Sequence, residues 1–326
     1  MDGSQVTSLG WVGVGRMGRA LVTRLLDAGH DVAVYNRTRA KAAELESRGA
    51  RVVDSPAELA DRDIVFTMVA GSADVEAVVE ALLSRADAAP GLIVDSTTIS
   101  PAAAEGIRAR AAERGTAMLA APVSGNPKVA ESGRLTIVAS GPSDAWTQAK
   151  PYLELLCRRV TYVGEGEAAR LVKICHNLML GVVTQCLAEI TVLAEKGGVA
   201  RADFLEFLND SVMGSTFTRY KSPALVNLDF TPTFTPALLL KDFHLGFEAA
   251  RAMNVSMPLA AATEQIVQGL QGTKGNEVDF AALIELCAEA SGLVLEPEHV
   301  EVDDGLSPLL PSPNGADPAR APAPQP

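Results

Sequence analysis

The 326-residue chain has four cysteines, two tryptophans and only 5% aromatic residues. Cys157, Cys175, Cys186 and Cys287 show neither CxxC spacing nor an accompanying histidine cluster. A zinc site or disulfide framework therefore has nothing to stand on; no metal is expected, and buried free thiols are the default. No uninterrupted run of 18 apolar residues occurs, and the N-terminus MDGSQVTSLGWVGVG lacks a basic region followed by a long apolar core. Those absences read as a soluble cytoplasmic protein. Basic residues are scarce as well: 28 Lys and Arg against 40 Asp and Glu leave a net charge of -12, a field that repels phosphate backbones and anionic lipid headgroups. Neither nucleic acid nor membrane is expected as a partner. Residues 296–326 carry six acids (Glu296, Glu298, Glu301, Asp303, Asp304 and Asp317) against Arg320 alone, so the body of the chain is only mildly acidic. Eight of the 19 prolines also fall from Pro297 onward amid Ala, Ser and Asp, the composition of a disordered tail over 296–326.

Aliphatic residues are plentiful. With 48% hydrophobic residues, the chain has core material for about two domains. Short β-branched runs predict strands at 9–14, 31–36, 64–69, 92–96, 116–120, 136–140 and 160–163, separated by helical periodicity at 18–28, 40–48, 72–85 and 102–114. Strand and helix in alternation predict a doubly wound, mostly parallel α/β sheet over residues 1–164, covered on both faces. After Gly166 the strand signals stop, and 167–196 reads as one helix of about 30 residues, near 45 Å long. Its apolar residues run most of the way round, so a neighbouring domain or a second subunit must cover it. Further helical stretches at 201–213, 236–253, 257–271 and 278–291 make 165–295 an all-α domain.

The sequence Leu9-Gly10-Trp11-Val12-Gly13-Val14-Gly15-Arg16-Met17-Gly18 is a strand entering a GxGxxG turn and then a helix. Gly13 permits the tight turn, Gly15 lets backbone approach a pyrophosphate, and Gly18 lets helix pack on strand; the helix N-terminus offers free N–H groups to the phosphates. Dinucleotide binding follows from that context. At the end of the second strand, where NAD sites usually place an acid for the ribose 2′-hydroxyl, the chain has Tyr35-Asn36-Arg37-Thr38, with Lys41 one turn on. Arg37 can pair with a 2′-phosphate and Thr38 can donate to it, which predicts NADP rather than NAD.

Within the long helix, Lys173, His176 and Asn177 stand at i, i+3 and i+4 on one face, and Thr184 and Thr191 extend the polar stripe. A lysine in so apolar a helix must reach solvent, find a partner or fall below its ordinary pKa of about 10.4, and the last suits proton exchange near neutrality. The same residues also fit a snorkelling lysine at a domain boundary beside an asparagine bonded to a carbonyl. Two loops at strand carboxyl ends, Asp95-Ser96-Thr97-Thr98-Ile99-Ser100-Pro101 and Ala121-Pro122-Val123-Ser124-Gly125-Asn126-Pro127-Lys128, aim hydroxyls and backbone N–H groups at one crevice. Ser100-Pro101 is equally a sound helix cap.

Together these pieces, with Lys241-Asp242 in LLLKDFHLGFEAA, resemble the β-hydroxyacid dehydrogenase family, the relatives of 3-hydroxyisobutyrate dehydrogenase, over about residues 8–293. The resemblance implies hydride transfer between NADP(H) and a small carboxylated carbonyl or alcohol. It implies Lys173 as general acid/base, Asn177 orienting the substrate, and Ser124 and Gly125, beside Asn126, binding its carboxylate. Thr97 would flank the nicotinamide ribose, Met68 and Val69 would line the dinucleotide groove, and Lys241 and Asp242 would close the site from the helical domain. The buried long helix adds an expected homodimer.

The chain departs from the family's usual Asp-Ala-Pro-Val-Ser-Gly-Gly, having Ala120 and Asn126 at its ends, and His176 stands where a second Asn often precedes Asn177. Seven of nine Phe lie between Phe204 and Phe247, which leaves room for a larger or less polar substrate or simply for core packing. Imine reductases resemble this pattern more distantly, with Asp or Tyr at the position of Lys173. A non-catalytic NADP-binding dimer would tolerate damage at Lys173 or Asn177, and both are intact.

Overall fold

The computed structural model describes residues 7–306. Nine strands form in chain order: β1 (Leu9–Val12), β2 (Val32–Tyr35), β3 (Arg51–Val52), β4 (Ile64–Thr67), β5 (Leu92–Asp95), β6 (Ala117–Ala120), β7 (Val123–Ser124), β8 (Thr136–Ala139) and β9 (Arg159–Tyr162). The first six make a parallel sheet of order β3-β2-β1-β4-β5-β6, so the doubly wound expectation holds there. Strands β8 and β9 leave that sheet. They join β7 in a separate three-stranded sheet because the chain turns back at Gly125, φ +132°, setting β7 antiparallel to β8. An isolated antiparallel bridge, Ala120 to Ser140, stitches the two sheets together.

Around and after the strands lie α1 (Arg16–Asp27), α2 (Ala43–Ser47), α3 (Ser72–Leu82), α4 (Pro101–Glu113), α5 (Pro127–Glu131) and α6 (Ser143–Leu156). Alternate strand residues feed opposite faces, as a two-residue period requires. Leu9, Trp11, Ile64, Phe66, Leu92 and Val94 pack in the core that includes Leu21 and Leu25 of α1; Val12, Val65 and Ile93 pack in the core that includes Val75 and Val79 of α3 and Ile107 of α4.

The helical half comprises α7 (Ala168–Lys196), α8 (Arg201–Asp210), α9 (Thr216–Asn227), α10 (Pro236–Ala252), α11 (Pro258–Lys274) and α12 (Leu283–Ala290). At 29 residues, α7 is about 43 Å long. It is the one helix among the described residues long and apolar enough to cross a membrane, yet half of its most apolar window is buried against this fold. Ile174, Leu178, Leu187, Ala188 and Val192 pack in a third core with Leu239, Leu240 and Phe243 of α10, Val267 of α11 and Ile284 of α12.

Residues 296–306 belong by composition to the expected tail, but they are packed. Glu298 Oε1 and Oε2 accept from the N–H groups of Arg201 and Ala202, Arg201 Nη2 donates to Glu296 O, and Leu306 is buried in the sheet-domain core. Glu298 caps the start of α8, a use that composition alone conceals, and lies 3.9 Å from buried Arg201, whose close ion pair is with Glu195. The remainder of the expected tail, 307–326, lies outside the described residues.

Candidate active site

A cavity of about 1220 Å³ opens between the sheet domain and the helices, larger than the few hundred to a thousand Å³ of a typical small-ligand pocket. The residues given a catalytic, substrate or cofactor role from the sequence line it except Val14, whose backbone N–H donates to Asn36 Oδ1 at 3.0 Å; Thr184 and Thr191 of the polar stripe are buried away from it. Asn36 Nδ2 in turn donates to Thr38 O at 2.9 Å, so this side chain pins the glycine turn to the end of β2.

At the turn, Gly13 has φ +96°, and a Cβ there would lie 2.1 Å from Met68 O, so only glycine fits. Gly15 is different: nothing lies within 4 Å of where its Cβ would be. Gly15 also caps α1 without a side-chain hydrogen bond, and no acid occupies the first turn. Free N–H groups, a positive dipole end and open space above Gly15 fit a pyrophosphate. Beyond it, Arg16 Nη1 spans the cleft to Pro232 O at 2.5 Å. At the end of β2, Arg37, Thr38 and Lys41 all line the cavity; Arg37 is 89% exposed, and Nη1 lies 3.6 Å from Asp74 Oδ1 of α3.

The loop after β5 is held from beneath. Asp95 is fully buried, accepting from Thr67 Oγ1 at 2.6 Å and from the Thr97 N–H at 3.2 Å. Arg170 of α7, also buried, places Nη1 2.8 Å from Asp95 Oδ2 and donates to Thr97 O at 2.9 Å. Thr97 Oγ1 accepts from the Val69 N–H at 3.1 Å. Lys241 Nζ donates to Thr98 O at 3.0 Å and lies 3.2 Å from Asp242 Oδ1, tying α10 to the same loop.

On the opposite wall, Asn126 caps α5 by accepting from the Val129 N–H, while Ser124 Oγ lies 2.9 Å from His176 Nε2. His176 Nδ1 lies 2.9 Å from Asn177 Oδ1, and Asn177 Nδ2 donates to Asp242 Oδ2 at 2.5 Å. A polar chain thus runs from β7 through α7 to α10. Lys173 stands beside it with no hydrogen bond or ion pair of its own among the described residues. Burial pushes its pKa down to about 8, against the opposing pull of Asp242 and with help from the Lys241 charge. The His176 pKa is also lowered, first by desolvation and then by the Lys173 charge, against Asn177 and Asp242.

One wall went unforeseen. Helix α9 brings Phe217, Tyr220 and Lys221 to the cavity, with Thr233, Phe234 and Phe280 beside them. Lys221, buried, donates to Asp279 Oδ1 at 2.5 Å, and its Nζ sits 4.7 Å from the Phe280 ring centroid. The phenylalanines, each compatible with packing or with a binding wall, serve both uses here: Phe217 and Phe234 pack against the helical core and line the cavity.

Residues 8–164 match the family described as the NAD binding domain of 6-phosphogluconate dehydrogenase, and residues 166–287 match "NAD-binding of NADP-dependent 3-hydroxyisobutyrate dehydrogenase". A mitochondrial 3-hydroxyisobutyrate dehydrogenase-like protein of Arabidopsis thaliana is 32% identical over 291 residues, 88% of this chain and 89% of that one. The Mycobacterium tuberculosis 3-hydroxyisobutyrate dehydrogenase solved with L-serine superposes with a TM-score of 0.76 at 28% identity, covering 86% of this chain and 99% of that one. Psf3, solved in complex with NADP+ and 2-OPP, gives 0.75 at 26% identity, covering 85% and 99%.

Proposed function

Because the chain belongs to the 3-hydroxyisobutyrate dehydrogenase-like family of NAD(P)-dependent β-hydroxyacid dehydrogenases, we propose that it moves a hydride between NADP(H) and a small carboxylated carbonyl or alcohol, with Lys173 as general acid/base. The observation that carries this reading is the Lys173 amine, unpaired in the cavity and held to about 8 beside the Asn177–Asp242 pair.

The glycine turn and the α1 N-terminus would hold the pyrophosphate, and Arg37, Thr38 and Lys41 the 2′-phosphate. No acid follows β2 to repel that phosphate, and the solved relative Psf3 carries NADP+. When bound, the nicotinamide supplies the hydride in reduction and takes it up in oxidation. In reduction the Lys173 ammonium gives a proton to the carbonyl oxygen; in oxidation the neutral amine receives the proton of the alcohol. Asn177, its amide fixed by Asp242, orients the reacting oxygen. Ser124 Oγ and the Gly125 N–H bind the carboxylate, with Asn126 beside them, and Lys241 and Asp242 close the cleft through Thr98. The working form is a homodimer paired through the exposed side of α7.

NADPH consumption with a panel of carboxylated aldehydes and keto acids, against cyclic imines, tests this. Turnover of a carboxylated carbonyl is expected. Turnover of imines alone would overturn it.

A further inference from the structure

Ser124 has a single hydroxyl proton, and the structure shows where it goes. Asn177 Nδ2 faces the acceptor-only carboxylate of Asp242, which leaves Asn177 Oδ1 facing His176 Nδ1. His176 must therefore carry a proton on Nδ1. In a neutral imidazole the other nitrogen, Nε2, is then an acceptor, so the Ser124 O–H donates into it across 2.9 Å. Ser124 can offer the cavity only lone pairs in that state, which oppose a carboxylate. Protonating His176 reverses the bond: Nε2–H donates to Ser124 Oγ, the hydroxyl proton swings free toward the cavity, and a positive charge arrives behind it.

We propose that His176 is the specificity-determining residue of this site, linking the binding of a substrate carboxylate at Ser124 to the uptake of one proton. The inference rests on Ser124 as the carboxylate ligand in the function proposed above. The charged groups facing the ring are Lys173 on its own helix and Asp242 on α10; Ser124 of β7 is uncharged, and Lys241 lies beyond Asp242, bonded to Thr98. Desolvation and Lys173 keep the ring neutral at pH 7 in the free protein, below the ordinary value of 6.5. A bound carboxylate raises it. Substrates that present a donor, a hydroxyl or amide, in place of the carboxylate bind the neutral state without taking up a proton.

The test uses the full chain and its His176→Asn variant. With a carboxylated aldehyde, the wild-type KM is expected to rise by up to about tenfold per pH unit across a window that opens below pH 6.5, while the variant's KM stays flat. The loss of reductive kcat near pH 8 belongs to Lys173; it is read in kcat rather than KM, and the variant keeps Lys173. In parallel, histidine proton resonances are followed with and without propionate. With four histidines in the chain, His176 is identified by its loss in the variant, and propionate is expected to move its titration to higher pH. Parallel KM profiles in wild type and variant, or a His176 titration indifferent to propionate, would overturn the proposal while leaving the proposed function standing. A propionate-shifted titration in a protein that turns over no carboxylated carbonyl would support the linkage and remove the function.

Discussion

Lys173 is an ammonium held in the cavity wall without an anion of its own, and this disfavours the folded state. A lysine brought from 10.5 to about 8 by desolvation costs about 3 kcal/mol at neutral pH. The unfolded chain binds more protons between those values. The penalty is therefore fully present below about pH 8 and relieved as pH rises toward 10.5. Lys173→Met is expected to raise the melting temperature at pH 7 by at least about 2 °C while lowering turnover ~10²–10⁴-fold. A calorimetric scan showing no gain would remove the desolvation argument. The wild-type reduction rate should fall as pH rises through about 8, and the oxidation rate should rise there. Arg37 presents the reverse case. Its 3.6 Å contact with Asp74 is exposed and contributes little, so it yields readily to a phosphate. Arg37→Ala should weaken NADPH about 10–100-fold relative to NADH, the range for a charge-assisted hydrogen bond, in a fluorescence titration. An unchanged ratio would remove the basis for NADP preference.

The geometry of the proposed site depends on how closely two helices approach. Gly181 of α7 leaves room for Phe243 of α10: a Cβ at 181 would stand 2.6 Å from Phe243 Cζ, and one at Gly246 would stand 2.5 Å from Leu178 Cδ1. Phe243 directly follows Asp242, so forcing these helices apart lengthens the Asn177–Asp242 bond. Gly181→Ala is expected to cost about 1–3 kcal/mol by overpacking, despite alanine's better helix propensity, and to lower kcat with little change in NADPH affinity. A stabilised, fully active variant would show that the seam has slack.

The elements carrying this geometry differed in how legible they were. Strands β1, β2, β4 and β5 announce themselves by β-branched runs, and α7 by its length without proline. Strands β3 and β7 have two residues each, too few to show a period. Helix α9 hides because Pro223 and aromatic or β-branched residues depress its propensity; the Ser215/Thr218 capping box and the buried Lys221–Asp279 pair hold it. Lys173 and Asn177 could be read from helical spacing, as could the glycine turn. The Ser124–His176 and Asn177–Asp242 bonds could not, because tertiary folding joins residues 52 and 65 positions apart.

At the scale of the molecule, the segment 296–306 acts as a strap. Its Glu296 O accepts from Arg201, which is fully buried with Glu195 beside it, and the segment then crosses to the sheet domain, where Arg134 donates to Gly305 O. The two domains are thus tied at the far end of the described residues as well as through Lys241 and Arg170. One side of α7 is uncovered as well. Val172, Met179, Cys186 and Leu193 recur every seven residues, and all are exposed, Met179 by 68% and Leu193 by 73%. A seven-residue apolar period along a helix of this length is the pattern of a helix that pairs with another, and large exposed apolar stripes rarely stay in water. A second copy of α7 offers the same stripe, so a two-fold pairing buries both at once. The protein is therefore expected to elute at twice its chain mass at micromolar concentration. Met179→Asp with Leu193→Asp should convert it to a monomer, since each charge would face an apolar partner side chain. The substitutions lie on the side of α7 away from its buried residues, so the far-ultraviolet circular dichroism should be unchanged. A wild-type protein that light scattering finds monomeric would leave the stripe without an occupant and refute the pairing.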